Sequence, residues 1–269
     1  MMMNPIIVTG ATGSMGAVAV RKLAAEGRPV ILACRDLDRG NKLMESVLRE
    51  IPEAQLELYH LNLSSQASVR EFVTLLQGRT FDGLFNNAGV LSRCYGKSED
   101  GIENTMAVNY LNPSLLTRLL ASQFAPGAHI VNMVSMTCKV SSIDPEWTSY
   151  GPEKFGQILT YGKSKVAMLY FTIAFARRHP ELYVNVSDPG IVDSKMITLD
   201  RWFDPLTDVC FRPFINSPEK GAIPALRALK ADKSLQYFVG KKSDPIPERF
   251  LNSPMPDILW DQATVLLKI

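Results

Sequence analysis

A tyrosine and a lysine placed four residues apart are this chain's first candidates for proton transfer. They lie in the segment Tyr161-Gly162-Lys163-Ser164-Lys165, at the start of a predicted helix, where residues i and i+4 share one face. The ordinary pKa of a phenol, about 10, is too high for an acid/base group at neutral pH, and a neighbouring cation favours the phenolate. The spacing therefore predicts that Lys165 lowers the pKa of Tyr161 and that Tyr161 moves the proton.

A serine at the end of an apolar run supplies a third polar group. Ser135 follows the run 130–134, which is typical of a strand, and its hydroxyl could hold a carbonyl oxygen while negative charge develops there. The three groups together predict hydride transfer between an alcohol and a carbonyl, with a cofactor carrying the hydride. The alternative is a solvated Lys165, a packed Tyr161 and a Ser135 that only caps a strand, since the Tyr-x-x-x-Lys spacing is common by chance.

A glycine-rich segment predicts where the phosphates of a dinucleotide bind. It reads Thr-Gly-Ala-Thr-Gly-Ser-Met-Gly at 9–16, between the apolar run 6–9 and a segment with helical spacing at 17–25. Glycines permit a tight turn and close approach to a pyrophosphate, which the helix N-terminus also attracts. The alternative is a turn that serves only packing. The predicted phosphate-binding residues are Gly10, Thr12, Gly13, Ser14, Met15 and Gly16.

The end of the second predicted strand should decide between the two nicotinamide cofactors. The chain reads Ala-Cys-Arg-Asp at 33–36, and Arg35 could bind a 2′-phosphate through paired, charge-assisted hydrogen bonds. Arg39 and Lys42 would add positive charge. Asp36 could instead pair with Arg35 or hold the ribose, which leaves NAD(H) open. The sequence favours NADP(H).

Strands and helices alternate along the chain in the pattern that positions such a site. Short strands that are apolar on both faces indicate a parallel sheet covered by crossover helices, so we expect one α/β domain over 1–269, a doubly wound Rossmann sheet of about seven strands. Two segments without periodicity, 136–160 and 191–216, follow strand ends and are predicted to be substrate loops. The predicted strands are 6–9, 30–34, 55–59, 83–86, 129–134, 183–187 and one ending at 238; the predicted helices are 17–25, 38–49, 65–77, 102–124, 161–178 and one starting near 219.

Composition argues against several other classes of protein. The net charge is +2 with Lys and Arg scattered among acids, which disfavours a nucleic-acid partner. The start of the chain lacks the pattern of a signal peptide, and no run approaches the length of a transmembrane helix, so we expect a cytoplasmic protein. The histidines do not cluster with the four cysteines, which predicts free thiols and no metal site. Those cysteines are Cys34, Cys94, Cys138 and Cys210.

With three further segments, these motifs resemble the short-chain dehydrogenase/reductase family from about Pro5 to Gly240. Asn86-Asn87-Ala88-Gly89 looks like the family's motif that stabilises the sheet beside the cofactor, and Asn109 aligns with an asparagine that orients a water next to the lysine. The segment 189–194 looks like the one that follows strand six, with Ser194 replacing the usual threonine at the nicotinamide carboxamide. The resemblance implies further cofactor contacts from Asn62, Leu63, Asn87, Ala88, Gly89, Pro189, Gly190, Val192 and Ser194.

Departures from the family pattern indicate a branch. Ser14 replaces the usual second glycine, for which Gly13 could compensate, and Asn62 replaces an acidic residue near the adenine. Ser135 and Tyr161 are 26 residues apart, about twice the commonest spacing. With Ala-Cys-Arg-Asp and Leu259-Trp260, this is similar to the retinol dehydrogenase and protochlorophyllide reductase branch. The long gap leaves Thr137, Ser141 and Ser142 as alternatives to Ser135.

The substrate and assembly are less constrained by the sequence. An apolar lid over a lipophilic carbonyl or alcohol is one interpretation of the two long segments, and coverage of the core or of a subunit interface is the other. Helices 102–124 and 161–178 could form a homodimer or homotetramer. A catalytically silent NADP(H)-binding regulator, and a C=C reductase or epimerase of the same fold, are rival functions. The apolar residues concerned are Trp147, Phe155, Met196, Ile197, Leu199, Trp202, Phe203, Leu206, Val209, Phe211 and Phe214.

Overall fold

Eight strands form one sheet within residues 3–192 and 216–269, the part of the chain that the computed structural model describes. Their order across the sheet is β3-β2-β1-β4-β5-β6-β7-β8. The first seven strands pair in parallel, and β8 pairs antiparallel with β7. The strands are β1 Ile6–Thr9, β2 Val30–Cys34, β3 Leu56–His60, β4 Phe81–Asn86, β5 Phe124–Met133, β6 Tyr183–Asp188, β7 Gln236–Val239 and β8 Lys242–Pro245.

Helices cover both faces of this sheet. Along β1, Ile7 faces one apolar layer, whereas Ile6 and Val8 face the other, so the strand is buried on both sides. A doubly wound Rossmann arrangement results, as predicted. The helices are α1 Ser14–Ala25, α2 Leu37–Glu50, α3 Gln66–Leu75, α4 Asn104–Met106, α5 Asn112–Leu119, α6 Gln157–Arg178, α7 Pro218–Ala228, α8 Glu248–Leu251 and α9 Met255–Leu267, with a π-helical turn at Ala107–Leu111 between α4 and α5.

The seven predicted strands are confirmed. An eighth strand, β8, was not predicted, and the helix expected over 102–124 is not continuous. The sequence does not predict β8, because its four residues are all exposed and carry no apolar signal. The continuous helix expected over 102–124 is interrupted by the π-helical turn and ends at Leu119, and Phe124 already belongs to β5. Apolar residues are so dense in this region that helical spacing cannot be separated from a buried strand.

The C-terminal helix α9, which the sequence did not predict, packs on α6. The Trp260 ring stacks on Phe171 with centroids 6.1 Å apart, and the Arg118 and Arg178 guanidinium groups lie 3.9 and 4.3 Å from the Trp260 ring centroid. The Tyr110 hydroxyl donates to the Leu259 carbonyl at 3.0 Å. The helices proposed as a subunit interface are therefore partly covered by the chain's own α9, and the oligomer stays a prediction.

The segment 136–160 divides the residues that were predicted to face a substrate. Trp147 is 4% exposed, meets the Tyr110 ring edge-on and donates from Nε1 to Gln262 Oε1 at 2.9 Å. It therefore covers the core, whereas Phe155 is half-buried against Tyr95. The apolar residues expected between 193 and 215 lie outside the described residues. Among the helices that are described, none is long and apolar enough to cross a bilayer.

Candidate active site

Lys165 lies at the base of the site, at the carboxyl end of the sheet. It is 3% exposed, and its Nζ donates to the carbonyl of Met133, the last residue of β5, at 3.0 Å. Burial lowers the pKa of Lys165 from 10.5 to about 8, and the charges of Cys138 and Asp188 offset part of that effect. A lysine with this pKa is available in both charge states near neutral pH.

Tyr161 lies one helical turn before Lys165, and its ring centroid is 5.6 Å from the lysine Nζ. Burial raises the pKa of Tyr161 to about 12, while a side-chain hydrogen bond with Ser135 lowers it in part. The net direction is opposite to the lowering by Lys165 that the sequence predicted. Burial is the dominant cause of this direction, and the Lys165 Nζ is engaged with the Met133 carbonyl.

Ser135, in the loop after β5, provides the hydroxyl that contacts Tyr161. It caps the turn Met136–Lys139 by accepting from the Thr137 amide at 3.3 Å. Ser141, one of the alternatives, lies against Gly162 instead, where a Cβ added to that glycine would come within 2.1 Å of its Oγ. The structure therefore brings Ser135, rather than Ser141, to the tyrosine.

Asn109 holds the segment that follows β4 and passes beside Lys165. It sits in the π-helical turn, where its Oδ1 accepts from the Val90 amide at 2.8 Å and its Nδ2 donates to the Val90 carbonyl and to Ser164 Oγ at 2.9 and 3.0 Å. A Cβ on Gly89 would lie 3.2 Å from Asn109 Oδ1 and 3.4 Å from Lys165 Nζ. These contacts use the side chain of Asn109 fully and place it beside the lysine.

The glycine loop has the close packing that its sequence predicts. Gly10 has φ +60°, and a Cβ there would lie 2.9 Å from the Ala88 Cα. A Cβ on Gly16 would come within 2.4 Å of the Gly10 carbonyl oxygen. Gly13 is the N-cap of α1, so that no side chain caps the first turn there. Uncapped N–H groups at such a helix start are suited to a phosphate.

The segment 87–89 connects this loop to Lys165. The Asn87 side chain donates from Nδ2 to the carbonyls of Thr9 and Gly10 at 2.9 and 3.1 Å. The amides of Asn87 and Ala88 both donate to Thr9 Oγ1, at 3.0 and 3.1 Å. Because Gly89 lies beside Lys165, one short segment spans the distance from the phosphate loop to the lysine.

One arginine of α2 contacts the glycine loop beside the end of β2. Arg35 is exposed, and Arg39 Nη2 donates to the Thr12 carbonyl at 3.1 Å. Asp36 caps α2, accepting from the Arg39 amide at 3.0 Å. In the described structure Asp36 therefore caps α2 rather than pairing with Arg35.

The remaining predicted cofactor residues line the same edge in different ways. Asn62 Oδ1 accepts from the Ser64 amide at 3.0 Å, and the side chain of Leu63 is buried, so Leu63 could offer only its backbone. Met15 and Val192 both lie against Gly221 of α7. Pro189 accepts at its carbonyl from Asn216 Nδ2 at 3.2 Å. Ser194 lies outside the described residues.

Two residues of this site were missed by sequence reasoning. Asp188 ends β6 and is 1% exposed, and its Oδ2 accepts from the Tyr237 hydroxyl at 2.7 Å. The same hydroxyl lies 3.3 Å from the Ser135 carbonyl. A charged residue directly after a run of buried strand residues was the available signal for Asp188. Sequence patterns do not point to Tyr237, because it lies 49 positions after its partner Asp188.

Comparison with known proteins identifies the family. The sequence model described as short chain dehydrogenase matches residues 4–201. Retinol dehydrogenase 12 from Mus musculus is 31% identical over 274 residues, which cover 98% of this chain and 86% of the relative. Retinol dehydrogenase 13 from Homo sapiens is 31% identical over 259 residues, covering 90% and 78%.

Solved structures agree with this fold. A putative uncharacterized protein from Mycobacterium Paratuberculosis has a TM-score of 0.79 and 27% identity, covering 98% of this chain and 93% of its own. A short-chain dehydrogenase from Sphingobium yanoikuyae in complex with NADPH has a TM-score of 0.69 and 20% identity, covering 89% and 88%. At that identity, the second likeness concerns the fold alone.

A Rossmann sheet with a glycine-rich loop after β1 and a buried lysine at its carboxyl edge is an arrangement typical of nicotinamide-dependent oxidoreductases, the class to which the family match assigns the chain. The chain belongs to the short-chain dehydrogenase/reductase family, in its retinol dehydrogenase branch, and acts on CH–OH and C=O groups. The resemblance inferred from the motifs is thereby confirmed.

Proposed function

We propose that this enzyme is an NADP(H)-dependent dehydrogenase/reductase in which Tyr161 is the general acid and base. The observation that carries the proposal is the continuous path from the glycine loop through 87–89 to Lys165, with Tyr161 and Ser135 beside the lysine. The crowded, uncapped loop fits a pyrophosphate, and the arginines at β2 fit a 2′-phosphate.

The proposed chemistry assigns a separate task to each side chain. In the reducing direction Tyr161 donates its phenolic proton to the carbonyl oxygen, and Ser135 donates a hydrogen bond to that oxygen while charge develops. The bound nicotinamide supplies the hydride. In the oxidising direction the Tyr161 phenolate accepts the alcohol proton, and the ammonium of Lys165 favours that phenolate. Asn109 fixes the strand end beside the lysine.

The preference for NADP(H) is supported by Arg35 and Arg39 and by the capping role of Asp36. We expect Arg35→Ala to weaken NADPH binding by roughly tenfold or more, because a charge-assisted pair with the 2′-phosphate is lost, and to leave NADH binding nearly unchanged. Both dissociation constants can be measured by fluorescence titration.

Arg49→Ala is the matched control for this test. Arg49 lies on the last turn of the same helix, α2, and its Nε donates to the Glu45 carbonyl of that helix at 3.3 Å. Arg49→Ala also removes one guanidinium charge, but far from the glycine loop, so NADPH and NADH should both bind as tightly as they do to the wild type. An equal loss for NADPH and NADH in Arg35→Ala would contradict recognition of the 2′-phosphate.

The proposed substrate is an apolar carbonyl or alcohol. Support comes from the exposed apolar side chains around the site, Met136 at 47% and Val140 at 88%, and from the half-buried Phe155 and Tyr95. The names of the retinol dehydrogenases, which describe action on an isoprenoid alcohol, agree with this class. Turnover confined to small polar keto acids would overturn this part of the proposal.

Product analysis separates the proposed reaction from its rivals. The protein would be incubated with NADPH deuterated at the transferable position and with panels of ketones, enones and nucleotide sugars. Deuterium at a carbinol carbon is the expected result. Deuterium at a former C=C carbon would indicate a C=C reductase, a changed sugar configuration would indicate an epimerase, and binding without turnover would indicate a regulatory protein.

A further inference from the structure

A buried aspartate for which the proposed chemistry has no task lies within the site. Asp188 is 1% exposed and stands between the last core residues of β6 and the Pro189–Gly190 turn. Its neighbour Ser187 accepts at its carbonyl from the Val134 amide at 2.9 Å, so the aspartate lies alongside the end of β5 where Ser135 begins the loop. Burying a carboxylate costs free energy unless the carboxylate is hydrogen-bonded or paired with a charge, so the partners of Asp188 indicate its role.

The hydrogen bonds of Asp188 connect two parts of the site. Oδ1 accepts from the Gly190 amide at 2.9 Å, which fixes the segment predicted to line the cofactor. Oδ2 accepts from the Tyr237 hydroxyl at 2.7 Å, and that hydroxyl lies 3.3 Å from the Ser135 carbonyl. Because the phenol has one proton, the two contacts form one three-centre hydrogen bond, with the carboxylate as the nearer acceptor and the Ser135 carbonyl as the more distant one. Tyr237 thus joins the serine backbone to the turn after β6.

The charge of Asp188 also reaches the proton-transfer groups. The titratable side chains that interact with it are Lys165 and Tyr161 on α6, Cys138 in the turn after β5, and Tyr237 on β7. Burial and this carboxylate both raise the pKa of Tyr237, whereas the carboxylate opposes the effect of burial on the pKa of Lys165. Within that group the lysine is the cation.

We propose that Asp188 is a positioning residue of the active site: with Tyr237 it fixes the Ser135 backbone relative to the Pro189–Gly190 turn, and it places a carboxylate beside the end of β5, where Lys165 is hydrogen-bonded to Met133. The proposal rests on the proposed function for its kinetic consequence, but its electrostatic consequence does not require turnover. A carboxylate whose charge did not reach Lys165 would influence stability and leave the titration of Lys165 unchanged.

Asp188→Asn tests the charge while retaining the shape. The amide can accept from Gly190 through its oxygen and donate to the Tyr237 oxygen, which leaves the phenol proton for the Ser135 carbonyl. We expect the titration midpoint of Lys165, about 8 in the wild type, to fall by about one unit because a nearby negative charge is removed. Carbon NMR of protein labelled at the lysine Cε measures this midpoint, and Lys165→Met assigns the signal.

Tyr237→Phe tests the positioning while retaining the charge. We expect the Lys165 midpoint to stay within a few tenths of a unit, and kcat to fall roughly tenfold with little change in substrate KM, because the Ser135 backbone loses a tether. Tyr183→Phe is the matched control, since Tyr183 begins β6, the strand that ends at Asp188, at the opposite edge of the sheet, and should retain wild-type kcat.

Each experiment tests one part of the proposal. An unchanged Lys165 midpoint in Asp188→Asn, or wild-type kcat in Tyr237→Phe, would overturn the role of that residue. If Asp188→Asn lowers the midpoint in a wild-type background that turns over no carbonyl, the proposed function fails and the electrostatic role of Asp188 stands. If Asp188→Asn does not fold, Asp188→Glu must keep the midpoint near the wild-type value, and a fall of a full unit there contradicts the proposal.

Discussion

Tyr161→Phe is expected to remove nearly all turnover and to leave NADPH bound as tightly as in the wild type. The substitution deletes only the hydroxyl that gives and takes the proton, and general acid–base catalysis by a positioned group contributes about 10²–10⁴ in rate. The ring can keep its place beside Lys165, 5.6 Å from Nζ. Steady-state kinetics with NADPH and the best carbonyl of a panel give the loss, and fluorescence titration gives the cofactor affinity.

Tyr170→Phe is the matched control for this substitution. Tyr170 lies on the same helix, is buried, and packs edge-on against Phe250 with centroids 5.7 Å apart. Because its ring packs against Phe250 of α8, kcat and KM should match the wild type. Wild-type turnover in Tyr161→Phe would assign the proton to another group and refute the mechanism.

The sheet and the place of the glycine-rich loop after β1 could be predicted because their signals are local, and phosphate binding by that loop stays a prediction. Strand β2 is observed over Val30–Cys34, the range that the sequence predicts, since a parallel strand covered on both faces must be apolar throughout. The glycine loop was equally clear, because Gly10 and Gly16 leave no room for a side chain. The family resemblance added Asn87 and Asn109, whose contacts tie the loop to the lysine.

The parts that failed depend on contacts between distant segments. The sequence left Trp147 open between a substrate contact and a core position, and Gln262, 115 positions later, binds its indole and places it in the core. The predicted direction of the Tyr161 pKa was wrong because spacing along a helix reports proximity to Lys165 and not the burial of both groups. The Asp188–Tyr237 pair joins β6 to β7 and has no periodicity by which a sequence could reveal it.

Lys165→Met is expected to have opposite effects on activity and stability. Turnover should fall by about 10²-fold or more, because the cation that favours the Tyr161 phenolate is lost. The free energy of unfolding at pH 7 should rise, because methionine fills the same space without a buried charge. The lowering of the Lys165 pKa from 10.5 to about 8 corresponds to about 3 kcal/mol, from which the lost hydrogen bond to Met133 subtracts about 1 kcal/mol.

The pH dependence of this gain follows from the direction of the pKa shift. Below pH 8 both folded and unfolded wild-type chains carry the ammonium, and the folded state bears the full cost of burying it. Between about 8 and 10.5 the folded state has released the proton and the unfolded state still holds it, so wild-type stability rises with pH. The advantage of Lys165→Met in urea titrations should therefore be largest below pH 8 and disappear towards pH 10.5.

Lys163→Met separates this effect from a general effect of removing a charge from α6. Lys163 is two residues away, half-exposed, with its Nζ 3.9 Å from the Tyr150 ring centroid. Its replacement should alter stability by less than about 1 kcal/mol at any pH and leave turnover intact. A destabilised Lys165→Met at pH 7 would mean that the buried ammonium is held by partners strong enough to outweigh its desolvation. The lysine would then stay charged through neutral pH, and burial would not lower its pKa to the extent described.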